Sequence, residues 1–68
     1  MKTAYEIEKD FATDKYFVKS KLYKYYFSWE VLTQVRTKLF SYPKPEQLES
    51  WYADLDMFTR KNIKKVKL

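Results

Sequence analysis

Apolar residues in this chain recur at spacings of three and four. Ile7 and Phe11 stand near the N-terminus; Val18, Leu22 and Tyr25 keep one phase through the middle. Leu32, Val35 and Leu39 follow Trp29, with Val31 beside them, and Leu48, Trp51, Leu55 and Phe58 form a later stripe that Tyr52 widens. Such spacings return to one face of an α-helix. They predict an all-α fold, a small bundle of three to four short helices in a single domain over residues 1–68.

Boundary signals divide the pattern. Thr3 and Glu6 are spaced as a capping box, which opens a first helix that ends around Phe11 or Ala12. Thr13 or Asp14 caps a second helix that reaches about Phe27, and Ser28 caps a third. A single helix from Lys15 to Ser41 would run about 40 Å at 1.5 Å per residue, awkward in so small a globule, so a break at Ser28 is expected. Tyr42-Pro43-Lys44-Pro45 stops the third helix, and Pro45 suits the first position of a fourth that runs to Asn62. Ile63–Leu68 reads as a frayed basic tail.

A competing reading stays open over residues 23–31. Tyr23, Tyr25, Phe27, Trp29 and Val31 alternate as strand residues do, and aromatic and β-branched side chains favour strands. A mixed α+β fold follows from that choice. Against it stands the absence of glycine and a single asparagine, Asn62. Two-residue hairpin turns depend on Gly, Asn or Asp at positive φ.

Composition narrows the function classes. The 68 residues include no Cys and no His, so disulfides, the usual zinc ligands and a neutral-pH base or thiol nucleophile are missing. Glycine loops that cradle phosphate are missing too. The acid pair Glu6/Asp10 fits a solvated helix start, and Asp54 and Asp56 fall on different sides of a helix. A non-enzymatic protein without cofactor or metal is expected. No apolar run approaches the ~20 residues of a membrane span, and Met1–Glu6 lacks the apolar core of a signal peptide. A cytoplasmic location is the expectation.

Aromatic residues make up 21% of the chain, more than so thin a core absorbs. Some should lie on a working surface or at a homodimer interface, with Tyr25, Tyr26 and Phe27 the candidates. The 14 Lys and Arg outnumber the 9 Asp and Glu, for a net charge of +5. The basic residues cluster from Lys15 to Lys24 and from Arg60 to Lys67. Such an excess favours anionic partners.

The order Ala4, Ile7, Phe11, a corner at Ala12-Thr13, a cap at Asp14, then Val18 and Leu22 has the spacing of a helix-turn-helix. Over about a third of the chain it resembles the helix-turn-helix segments of small phage and mobile-element regulators, including excisionase-like proteins. It departs from them at Glu8, where a small residue is usual, and at Ala12, where glycine is usual. The resemblance implies a regulator that binds DNA. Lys15, Tyr16, Lys19 and Ser20 would enter the major groove and Lys24 would meet phosphate, with Arg60 and Lys64 in a second, phosphate-contacting arm. The alternative is a small helical adaptor or inhibitor that binds a host or viral protein through an aromatic patch.

Overall fold

Tyr23–Phe27, which reads as either helix or strand, is one of the two inner strands of a sheet. The structure, a computed structural model, describes residues 5–68. Four strands, β1 (Glu8–Asp10), β2 (Lys15–Lys19), β3 (Tyr23–Phe27) and β4 (Lys64–Lys67), pair antiparallel in the order β1-β2-β3-β4. The crossover from β3 to β4 holds α1 (Trp29–Leu39), a 3-10 turn at Pro45–Gln47, α2 (Leu48–Asp54) and α3 (Met57–Arg60). The fold is therefore α+β, and the all-α expectation is corrected.

The reason lies in how β2 and β3 use their side chains. Alternation sends Val18, Tyr25 and Phe27 to one face, where none retains exposed surface. Leu39, Leu48 and Trp51 of the helical layer are equally buried against them. The Trp51 ring stands edge-on to Tyr25 at 5.8 Å and to Phe27 at 6.3 Å, a geometry that suits the ring quadrupoles. The helical phase of Val18, Leu22 and Tyr25 is a coincidence of spacing. Leu22 lies in the β2–β3 loop and is 58% exposed.

The hairpins turn without glycine. Asp14 closes the β1–β2 turn at φ 56°, a left-handed conformation that Asp tolerates better than most residues. Asp10 Oδ1 accepts from the Ala12 amide at 3.0 Å, and Lys9 pairs with Asp14 at 3.1 Å. The Asp14 hydrogen bond and charge raise the Lys9 pKa. In the β2–β3 loop Ser20 Oγ accepts from the Tyr23 amide at 3.0 Å and from the Leu22 amide at 3.3 Å. The Ser20 amide donates to the Tyr23 carbonyl at 2.8 Å. These side-chain bonds do locally what a primed turn does with glycine.

Other expectations meet the structure unevenly. Ser28 caps α1, its Oγ accepting from the Val31 amide at 3.4 Å, and Val31, Leu32, Val35 and Leu39 are the buried stripe. Pro45 opens the 3-10 turn that leads into α2. The long fourth helix is corrected. Its backbone is extended at Leu55 and restarts at Asp56, whose Oδ1 accepts from the Thr59 amide at 2.6 Å. That bond holds the Asp56 carboxyl below its usual range; beyond the break Phe58 is 81% exposed. The frayed tail is corrected too. Ile63 is buried and Lys64–Lys67 is β4, because β3 offers a backbone edge that only a strand can satisfy.

The first helix is replaced by β1, and Thr3 and Ala4 of its capping box lie outside the described residues. Tyr5 instead straps this segment to the end of α1. Its hydroxyl donates to the carbonyls of Leu39 and Tyr42 at 3.0 and 2.9 Å, and burial pushes its pKa up to about 12. Among the described residues no helix is long and apolar enough to cross a membrane.

Candidate nucleic-acid interface

The same alternation that builds the core sets a second group of side chains on the opposite face. Cross-strand register places Glu8, Phe17, Tyr26 and Lys64 in one row across all four strands. At strand spacings of about 4.8 Å the row spans roughly 14 Å. Lys19, Lys24 and Val66 form the next row, and Lys15 lies opposite Asp10 on the other side. The helices occupy the other face. Here Lys15, Lys19 and Lys64 are exposed, while Phe17, Lys24, Tyr26 and Val66 are partly so.

Phe17 and Tyr26 stand ring to ring, with centroids 5.3 Å apart and planes inclined by 39°. The Lys24 ammonium lies 5.0 Å from the Phe17 centroid and 5.9 Å from that of Tyr26, within cation–π range of both. Charge on this face is graded. Glu8 and Asp10 sit on β1, whereas the lysines occupy β2, β3 and β4. An anionic ligand is thereby steered over β2–β4 and away from β1. A groove of about 770 Å³ continues the face beyond Tyr26, between the β1–β2 turn and the segment that enters β4.

The structure brings together only part of the residues read from the sequence as DNA-binding. Lys15, Lys19, Lys24 and Lys64 share the open face. Tyr16 is on the helical side, 5.5 Å from the Trp29 ring. Ser20 is engaged in its turn, and Arg60 ends α3, away from the groove's lining. Of the interface candidates, Tyr25 and Phe27 are core residues without exposed surface, and Tyr26 alone reaches the open face. The helix-turn-helix is corrected: among the described residues no helix precedes Trp29, so no recognition helix presents Lys15 and Lys19. Both of its segments turn instead into β1 and β2, whose backbone groups pair with each other.

Phe17 and Val66 of this face lie outside the residues that the helical reading assigns to DNA, although period-two alternation through Lys15–Lys19 marks Phe17 as a neighbour of both lysines. What this arrangement offers is electrostatic attraction for phosphate and flat apolar rings for bases. Among the described residues no group of three or more His, Cys, Asp or Glu is placed to bind a metal ion. No family model, curated protein or solved structure matches the chain, so the functional reading rests on this chemistry.

Proposed function

We propose that this is a small basic nucleic-acid-binding protein that takes single-stranded DNA or RNA across the open face of its sheet. The observation that carries the reading is the Phe17–Tyr26 ring pair, set among Lys15, Lys19, Lys24 and Lys64 on a face that no described helix covers. Unpaired bases stack on aromatic rings whatever their sequence, and lysines around the rings meet the phosphates between bases. A duplex keeps its bases stacked inside and would leave Phe17 and Tyr26 unused. The protein acts as a binding module, with no chemical step of its own.

Stacking contributes about 1–3 kcal/mol per base, so Phe17→Ala or Tyr26→Ala should weaken binding roughly 5- to 150-fold. Each lysine that neutralises a phosphate adds about 0.7 to the slope of log affinity against log salt. Fluorescence anisotropy of labelled 12-nucleotide single strands and matched duplexes, titrated from 50 to 200 mM salt, measures both. A preference for the single strand is expected, with slopes that shallow in Lys19→Ala and Lys24→Ala. Absence of binding at 50 mM salt, or affinity indifferent to both ring variants, would overturn the proposal.

A second reading, a module that docks another protein, is favoured by a separate aromatic patch. Phe11 is 84% and Trp29 54% exposed, with the Lys9 ammonium 5.4 Å from the Phe11 centroid and 5.7 Å from that of Tyr16. Phe11→Ala and Trp29→Ala leave strand binding unchanged if the sheet face is the nucleic-acid surface.

A further inference from the structure

The groove beside Tyr26 differs from the open face in the polarity of its walls. Tyr26 and Val66 form its apolar side, and Lys15, Lys61 and Lys64 supply positive charge. Asp10 and Asn62 supply acceptors: the Asp10 carboxylate only accepts, and the Asn62 amide is turned so that its Nδ2 donates to the Phe58 carbonyl at 3.2 Å. That bond uses one of the two Nδ2 hydrogens and fixes the side on which Oδ1 accepts. With about 770 Å³ available, the groove falls within the range of small-molecule sites, ~300–1,000 Å³.

We infer that this groove is a nucleotide subsite that receives one base of the bound strand and selects bases bearing an exocyclic amino group. The inference rests on the reading of the sheet face as a single-strand platform. The base lies against Tyr26, and its phosphate meets Lys61 and Lys64. Cytosine offers its N4 amino group and adenine its N6 amino group as donors, and acidic side chains accept from such groups. Thymine and uracil present carbonyl oxygens at the matching position, which would face the Asp10 carboxylate and the Asn62 Oδ1 acceptor to acceptor. The groove therefore discriminates by hydrogen-bond direction, while the Phe17–Tyr26 platform accepts every base.

Anisotropy with oligo(dC) and oligo(dT) of equal length, on the full chain, tests the selection; oligo(rC) and oligo(rU) repeat it for RNA. Wild type should prefer the cytosine strand by ~3- to 10-fold, the range of one or two hydrogen bonds. Asp10→Asn keeps an oxygen for the Ala12 amide, and Asn62→Ala removes the second acceptor. Each should lower the ratio and the two together should bring it close to one, and far-ultraviolet circular dichroism checks that each variant folds. Lys61→Ala should weaken both strands equally. An unchanged ratio in Asp10→Asn and Asn62→Ala, with Tyr26→Ala still weakening binding, overturns the subsite and leaves the platform standing. If wild type binds none of these strands, the platform fails and the subsite with it.

Discussion

Replacing Tyr25 by phenylalanine removes one oxygen from the most enclosed part of the core. Tyr25 has no exposed surface and is ringed by Trp51, Tyr52 and Tyr23. Its hydroxyl has no hydrogen-bond partner among the described residues. Ser20 is near enough to oppose the upward shift of its pKa slightly. The Ser20 hydroxyl is nevertheless committed to the Leu22 and Tyr23 amides and the Tyr23 carbonyl, and no bond of ordinary geometry joins it to Tyr25.

A buried, unpaired hydroxyl costs about 1–3 kcal/mol, and the small void its removal leaves returns only a few tenths at ~24 cal/mol per Å³. Tyr25→Phe should therefore stabilise the fold by about 1 kcal/mol, which raises the melting temperature by roughly 4–8 °C in a domain of this size. Urea and thermal unfolding followed by circular dichroism measure it. Alkaline pH supplies an independent check. Burial pushes the Tyr25 pKa up to about 12, above its ordinary value near 10. The neutral form is favoured by the fold, so this contribution is fully present below pH 10 and lost as pH rises towards 12. Between those values the advantage of Tyr25→Phe should widen by about 1.4 kcal/mol per pH unit. A variant that is less stable by 1 kcal/mol or more, with a gap that stays flat through the alkaline range, would show the hydroxyl to be bonded and refute the reasoning.

Three further substitutions probe the turns, the helix restart and the last strand. Asp14→Ala should destabilise by about 1–2 kcal/mol because alanine resists positive φ, while Asp14→Gly is tolerated; thermal melts of both decide it. Asp56→Ala should lower the melting temperature at pH 7. The difference should vanish as pH falls through the depressed Asp56 pKa, because this carboxylate stabilises the fold only while charged. Deletion of residues 63–68 should abolish cooperative unfolding, since it removes buried Ile63 and uncovers the edge of β3. A tail that merely frayed would leave the denaturation midpoint in place.

The sequence makes some of this legible and hides the rest for identifiable reasons. α1 announces itself because Ser28 and the Val31/Leu32/Val35/Leu39 stripe are local signals that agree. β2 and β3 are each five residues long, too short for alternation to outweigh a fortuitous three-four spacing. Their turns are made by Asp14, which reads equally well as a helix cap, and by Ser20, which fits a polar helix face equally well. The pairing of Tyr26 with Lys64 has no local signature at all. Lys15 and Lys19 emerge as partners under either geometry, because positions i and i+4 share a face in a helix and in a strand. The two geometries part at i+2. Phe17 is opposite the lysines on a helix and beside them on a strand, so a helical reading finds the cations and misses the ring.

The crossover between β3 and β4 also orders events in time during synthesis. β1, β2 and β3 are contiguous, so they can form a meander as soon as Phe27 leaves the ribosome. Tyr25 and Phe27 then lie bare until Trp51 arrives, and the edge of β3 stays unpaired until Lys64–Lys67 emerges. Contacts that wait for distant partners slow folding and expose sticky surface meanwhile. The aromatic strand on which the native core is built is thus the hazard of the half-made chain, and its closing partner is the last of the four strands to appear.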